Sequence, residues 1–205
     1  MPGLWEEVVY SYKDSLDSHG NPSQRLYKVR TDMMENHKDK NTTPEERTLD
    51  VYVAAPSADL ALAEEMFSSL AHAGFDIAFY WTLDFLHNQK VLSSFPKTRE
   101  EEKNQESLAN RISYDMVRGV RDADVVVLMC TGSPSVGMWV ELGMAIALRK
   151  PIVLYAPEGA PYRKHGCSTN LFLHPDVCPI AGDAFSIYQV IEVLKAMKEK
   201  KFSSS

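Results

Sequence analysis

Apolar residues fall into two alternating patterns from about residue 49 onward. Short continuous runs, LDVYVAAP (49–56), ADVVVLMC (123–130) and PIVLYAP (151–157), are rich in β-branched and aliphatic residues, and they predict strands buried on both faces. Between them lie segments whose apolar positions recur three and four apart. ALAEEMFSSLAHAG (61–74) predicts a helix that Gly74 ends as a C-cap, and LANRISYDMVRGVRDA (108–123) and VELGMAIALRK (140–150) predict two more. AFSIYQVIEVLKAMKEK (184–200) predicts a closing helix with its basic residues at the C-terminal end, where they suit the helix dipole. FDIAFYW (75–81) predicts the second of four strands. Strands alternating with helices predict a parallel sheet covered on both faces, an α/β fold.

Three segments fall outside this rhythm. Residues 1–48 open with Trp5, Val8, Val9, Tyr12 and Leu16 at helical spacing and then turn polar, with Met33 to Arg47 reading as a solvated linker. They are expected to form an N-terminal extension, with one α/β domain over 49–205. The polar stretch from Thr82 to about Gln105, with Pro96 and the run KTREEEK, reads as a solvated surface loop or as a flap over a site. Glu158 to Asp183 reads as loop with a possible short strand.

Composition narrows the function. With 205 residues, 44% apolar and 24% charged, the chain suits a single globular domain. A net charge of −6 and a pI near 5.5 argue against nucleic acid as a partner. Cys130, Cys167 and Cys178 form no CxxC pair and are expected to be thiols in a reducing compartment. The start MPGLWEEVVYSYKD carries acids where a signal peptide wants bases, and no apolar run is long enough to span a membrane, so the expectation is a cytoplasmic protein without a membrane partner. No GxGxxG, GxxxxGK[ST] or HExxH is present, and neither a cofactor nor a metal is expected.

In open α/β sheets ligands bind beyond the carboxyl ends of the strands. Three loops there stand out: AAPSAD, FYWTLD and TGSPSVGMW. In the last, Gly132, Ser133, Ser135 and Gly137 let backbone amides approach a ligand, and the helix that follows points its positive end at the same place. Glu141, in WVELGMAIAL, is expected in the first turn or so. One reading makes it a partner of the helix dipole; the other, favoured by its apolar neighbours, puts it on the crevice wall, with Gly143 allowing a close approach. Asp115 is either a surface acid or a second carboxylate of the site, while Asp122 and Asp124 read as structural. Trp81, Tyr80 and Trp139 either fill the core or stack on a base, and His72 and His87 carry no metal spacing.

The run ADVVVLMCTGSPSVGMWVELGMAIALRKPIVLY, with VYVAAP upstream, resembles the nucleoside 2-deoxyribosyltransferase family, which includes the deoxynucleoside 5'-monophosphate N-glycosidases. The resemblance covers about residues 49–157 and rests chiefly on the Gly-rich loop that leads from ADVVV into ELG. It implies a flavodoxin/Rossmann-like three-layer sandwich, a homodimer or higher homo-oligomer, a small-molecule nucleoside or nucleotide as ligand, and double displacement at the anomeric carbon. Residue by residue it implies Glu141 as the nucleophile that carries the glycosyl ester, Asp115 as the group that handles the proton of the leaving base, and Tyr52 as a wall of the sugar site. It places Ser135 at the 5' end of the sugar. Gly137 and Met138 of the Gly-rich loop and Trp81 after the second strand are further candidate substrate contacts on the reading of the residues alone. A hydroxyl donates to a phosphate oxygen, so Ser135 tilts the reading towards a 5'-monophosphate. The chain departs from the hydrolases in offering Ser57 and Ala58 where they place an arginine, and in a spacing from Asp115 to Asp124 that is one residue longer.

The mechanism agrees with elementary requirements. An oxocarbenium-like transition state calls for an ionised carboxylate at the anomeric carbon and a proton donor at the leaving group. The expectation is that the helix dipole keeps Glu141 anionic, and that burial or a nearby carboxylate lets Asp115 hold a proton. The glycosyl ester is resolved by water in a glycosidase or by a second base in a transferase. Two other readings remain: a TIR-like NAD glycohydrolase, and a non-catalytic nucleotide-binding module in which Glu141 only orders its helix.

Overall fold

A computed structural model describes residues 48–133, 135–157 and 180–203. The amphipathic segment expected over Trp5 to Leu16, the linker over 33–47, Cys167, Cys178 and most of the stretch 158–183 lie outside the described residues.

Among the described residues the sheet has five parallel strands: β1 (Asp50–Ala54), β2 (Asp76–Ile77), β3 (Val125–Met129), β4 (Ile152–Tyr155) and β5 (Ile180–Ala184). Their order is β2-β1-β3-β4-β5, the flavodoxin-like winding. The helices are α1 (Leu60–His72), α2 (Trp81–Ser93), α3 (Arg99–Asp122), α4 (Val136–Ala147) and α5 (Ile187–Ser203), and a 3-10 turn occupies Ser57–Asp59. The α/β class and parallel sheet expected from the alternating pattern are therefore present. Because the chain winds from β1 to β2 and then crosses back to β3, the crevice at the carboxyl ends of β1 and β3 is the topological switch point.

Strand alternation sorts the core into two faces. Tyr52, Ala54, Val126, Leu128, Ile152 and Leu154 form one buried cluster with Val120 and Ala123 of the α3 end, and with Met138, Leu142 and Ala145 of α4. Val51, Val53, Val125 and Val127 point the opposite way, to the face where α1 and α5 pack. Met66, Phe67 and Leu70 of α1 and Val190 and Leu194 of α5 are buried there. This two-sided burial is why β1 and β3 read as unbroken apolar runs.

The structure departs from the pattern at three places. First, FDIAFYW holds only a two-residue strand. Beyond it the Ala78 N–H still donates to the Val51 carbonyl at 2.9 Å, but Trp81 opens α2 and sends its indole N–H to the Val53 carbonyl at 2.8 Å. Second, a fifth strand, IAGDA, runs beside β4. It has a single β-branched residue, and a Cβ on its Gly182 would sit only 3.0 Å from Val193, so close backbone packing and not side-chain bulk builds it.

Third, the polar stretch after Thr82 is helical, not a loop. The chain separates into two compact units: the sheet unit comprises Thr48–Thr82 and Arg111–Ser205, while Leu83–Asn110 belongs to the other. Within the latter, the Gln105 side-chain amide donates to the carbonyls of Val91, Leu92 and Ser94 at 2.8, 3.1 and 2.9 Å, satisfying the end of α2. At the start of α3, Thr98 Oγ1 accepts from the Glu101 N–H at 3.1 Å and the Glu101 carboxylate accepts from the Lys97 N–H at 2.6 Å. Thr98 thus caps the helix, and the Glu101 carboxylate reaches one residue further back than in a standard capping box, to Lys97; together the two bonds turn KTREEEK into the start of a helix.

At the end of α1, the Phe75 N–H reaches the Leu70 carbonyl and the Gly74 N–H reaches the Ala71 carbonyl, both at 3.1 Å, with Gly74 at φ +82°. This Schellman closure bears out the C-cap expected at Gly74. No helix among the described residues is long and apolar enough to cross a membrane. Gly74→Ala puts a Cβ into the left-handed region and is expected to cost about 1 kcal/mol in urea unfolding; an unchanged midpoint would show that the turn tolerates a side chain.

Candidate active site

Ser135 caps α4: it is extended, at φ −153° and ψ 116°, and its Oγ accepts from the Met138 N–H at 3.1 Å. The helix starts at Val136, so Glu141 stands in its second turn and not in the first as the sequence suggested. Its carboxylate is 3% exposed, and the Tyr52 hydroxyl, wholly buried on β1, donates to Glu141 Oε1 at 2.7 Å. Two chemistry-bearing residues 89 positions apart thus meet at the switch point.

This placement reverses the expectation that the helix dipole keeps Glu141 anionic. A dipole contributes about 0.3–1 kcal/mol and fades beyond the first turn. Burial pushes the Glu141 carboxyl from 4.5 up to about 7, with the Tyr52 hydrogen bond pulling back only part of the rise. At about 1.4 kcal/mol per pH unit, the rise corresponds to roughly 3 kcal/mol, so desolvation outweighs the dipole. Burial, followed by the Glu141 charge and hydrogen bond, drives Tyr52 far up as well, which keeps its hydroxyl a proton-bearing donor.

A glycine that the sequence reading did not single out makes the contact possible. A Cβ on Gly119 of α3 would lie 2.8 Å from both the Tyr52 ring and the Phe79 Cβ, so only glycine lets α3 lie against Tyr52. Gly143, expected to serve a close approach, is exposed and has open space where a Cβ would go; that expectation is corrected. The position four before Gly119 is Asp115. Because α3 ends beside Asp124 at the amino end of β3, where the Asp124 N–H donates to the Asp50 carbonyl at 2.7 Å, Asp115 lies about 6 Å nearer the carboxyl edge than Gly119, on the same helix face. Asp115 is half-buried there. Asp122 and Asp124 are structural, as expected: Asp122 pairs with Arg118 and Arg121, and Asp124 accepts from the Asp50 N–H and pairs with Lys201.

The loops leaving β1 and β3 are tied together. Asp59 accepts from the Thr131 hydroxyl on one carboxylate oxygen and from Ser133 Oγ, at 2.8 Å, on the other. Gly132, at φ +93°, makes the turn between those two donors. Gly137 is exposed in the first turn of α4, with open space around it, whereas Met138 is 3% exposed and serves the core. Trp81 is 5% exposed, hydrogen-bonded to Val53 and edge-on to Phe67 with ring centroids 6.4 Å apart, so the structure places it in the packing rather than in the constellation around Glu141. Asp59 was not foreseen as a site residue. Its signal was available in the sequence, since it is the one charged residue of AAPSAD. Among the described residues no group of three His, Cys, Asp or Glu side chains converges as a metal site. An open cavity of about 750 Å³ lined by Leu49, Pro151, Val193 and Met197 lies at the amino ends of the strands, the edge opposite Glu141, and bears no relation to this chemistry.

The raised Glu141 value has a stability consequence. The folded chain holds the proton to about pH 7 and the unfolded chain to about 4.5, so the contribution to stability is complete below about 4.5 and is lost as the pH rises through 7. Glu141→Gln removes the buried charge while keeping an acceptor for Tyr52. It is expected to stabilise the protein by roughly 3 kcal/mol near pH 9 and by nothing near pH 4. Chemical denaturation at both values checks this, and a pH-independent difference between the two proteins would contradict it.

Comparison with known proteins adds an independent finding. The chain matches the family model for nucleoside 2-deoxyribosyltransferase over residues 51–191, more than half its length. No curated protein sequence matches it. Among solved structures it is similar to the CMP N-glycosidase BcmB of Clostridium botulinum, at 14% identity and a TM-score of 0.45, over 71% of this chain and 98% of that one. The matched span carries Tyr52, Asp115, Ser135 and Glu141, and the chain belongs to the nucleoside 2-deoxyribosyltransferase family, whose enzymes hydrolyse or transfer at an N-glycosyl bond.

Proposed function

We propose that the protein cleaves the N-glycosidic bond of a nucleoside or its 5'-monophosphate through a glycosyl ester on Glu141. The observation that carries this reading is the buried Glu141 carboxylate, held by the Tyr52 hydroxyl at 2.7 Å at the switch point of the sheet. Tyr52 occupies one oxygen, which fixes the carboxylate plane and leaves the other oxygen to attack.

In the first step a Glu141 oxygen bonds to C1' of the sugar while the C1'–N bond breaks. The electron pair goes to the base, and Asp115 supplies the proton that the base takes up. In the second step water, or a nitrogen of a second base, bonds to C1'. The ester oxygen leaves with its electron pair and regenerates the Glu141 carboxylate, and the proton of the incoming nucleophile passes to Asp115. The partial desolvation that raises Glu141 serves the first step, because a poorly hydrated carboxylate is the stronger nucleophile once ionised.

Base release from a panel of ribo- and deoxynucleosides and their 5'-monophosphates, with and without an added free base, tests the proposal beside Glu141→Ala. The expected result is release that falls at least 1000-fold in the variant, and a kcat/KM that rises with pH up to an apparent value near 7, where Glu141 ionises. Release that survives in Glu141→Ala would reject the role given to this residue. Transfer onto the added base would assign the transferase branch, and indifference to it would assign the hydrolase branch.

A further inference from the structure

We infer that Gly119 is a positioning residue for the reaction: the bare position it leaves on α3 seats the Tyr52 ring so that the hydroxyl meets Glu141. The catalytic consequence rests on the reading above, in which Glu141 attacks C1'. Glycine inside a helix is destabilising relative to alanine, so its presence there calls for a reason. Backbone conformation does not supply one, because Gly119 lacks a positive φ and stands three residues before the end of α3 at Asp122. Gly137 and Gly143 also lie in a helix, and a Cβ on either would meet nothing. On Gly119 it would stand 2.8 Å from Tyr52 Cε2, 2.9 Å from Tyr52 Cδ2 and 2.8 Å from Phe79 Cβ. Carbon atoms pack at about 3.5–4.0 Å, so an alanine has to gain about 0.7 Å.

The Tyr52 ring is the neighbour that yields. The end of α3 is tied down, with the Asp124 N–H donating to the Asp50 carbonyl at 2.7 Å and Lys150 Nζ to the Ala123 carbonyl at 2.6 Å. Phe79 Cβ sits directly on a backbone pinned on both sides, by Ala78 to Val51 and by the Trp81 indole to Val53. The ring turns on two side-chain torsions, and Cε2 is bonded to the carbon that bears the hydroxyl. A displacement of about 0.7 Å there exceeds the width of the range, about 2.5–3.0 Å, over which an O–H···O bond holds. The 2.7 Å bond to Glu141 is therefore what the displacement loosens. The titratable groups on the elements around Glu141 are Tyr52 on β1, Cys130 at the end of β3 and Asp115 on the inward side of α3. Of these it is the Tyr52 hydrogen bond that holds Glu141 down against burial, so loosening it drives the carboxyl further up.

The test follows Glu141 in the full chain by difference infrared spectroscopy of its protonated carboxyl band, assigned by the loss of that band in Glu141→Gln. Gly119→Ala is expected to move the midpoint up by about one pH unit, the size of a hydrogen bond to a charged group. Tyr52→Phe is expected to give the same rise, and adding Gly119→Ala to it to change the midpoint by less than about 0.3 unit, because no bond is left to lose. In Gly119→Ala, kcat/KM for base release is expected to fall about fivefold at pH 7 and to recover at pH 9, where Glu141 is ionised in both proteins. A loss caused by disturbed packing alone is not rescued by pH. Phe79→Gly removes one of the two obstacles, so combining it with Gly119→Ala leaves Tyr52 alone in the way and carries the same test if the single variant does not fold. An unmoved midpoint in the folded variant, or a shift that adds to that of Tyr52→Phe, overturns the inference. A shifted midpoint in a protein whose parent form releases no base would instead overturn the catalytic reading and leave the hold of Gly119 on Glu141 standing.

Discussion

The hydrogen bond from Tyr52 to Glu141 is the interaction on which the site depends. It joins β1 to α4, the helix that follows the neighbouring strand β3, and it gives a carboxylate on a residue 3% exposed to solvent its one described buried donor. Removing a carboxylate from water is costly unless hydrogen bonds replace the water. Here one bond offsets part of that cost and burial still wins, leaving Glu141 near 7. The result is a group balanced between two protonation states at neutral pH, which structural acids seldom are.

Much of the surrounding architecture serves that contact. Gly119 allows α3 to lie against the Tyr52 ring, which holds the ring while its hydroxyl reaches across to α4. Ser135 fixes where α4 begins, and so fixes the rotation that turns Glu141 inward while Val140 beside it is 58% exposed. Asp59 ties the loop after β1 to the loop after β3, so the two walls of the crevice are joined by hydrogen bonds as well as by the sheet. Gly119 acts by lacking a side chain, and Ser135 and Asp59 act through side-chain hydrogen bonds that fix the backbone around the contact.

The sequence made the repeating parts of the fold legible. Strands β1, β3 and β4 and helices α1, α4 and α5 follow from apolar periodicity, because burial on one or two faces writes itself into composition. Strand β5 was hidden because IAGDA packs by the smallness of its residues. The helical character of 81–110 was obscured by charge, although TREE has the residue pattern of a capping box and Gln105 lies one helical segment away from the carbonyls it caps. At the site, Tyr52 and Glu141 were each identifiable, but their contact across 89 positions was not, since no local pattern encodes it. Glu141 was also placed a turn too early: Ser135 as cap was readable in SPSVGMW, yet the small and apolar residues after it resemble loop as much as helix.

The central claim is that Glu141 forms a bond to the sugar. Mass spectrometry of the protein quenched during turnover of a nucleoside slowed by fluorine at C2' tests it most directly, because fluorine destabilises the oxocarbenium-like transition states of both steps and lets the ester accumulate. The account predicts a glycosyl adduct confined to the peptide that carries Glu141 and absent after Glu141→Gln. An adduct on another residue, or base release from the slowed substrate that persists after Glu141→Gln, would contradict it.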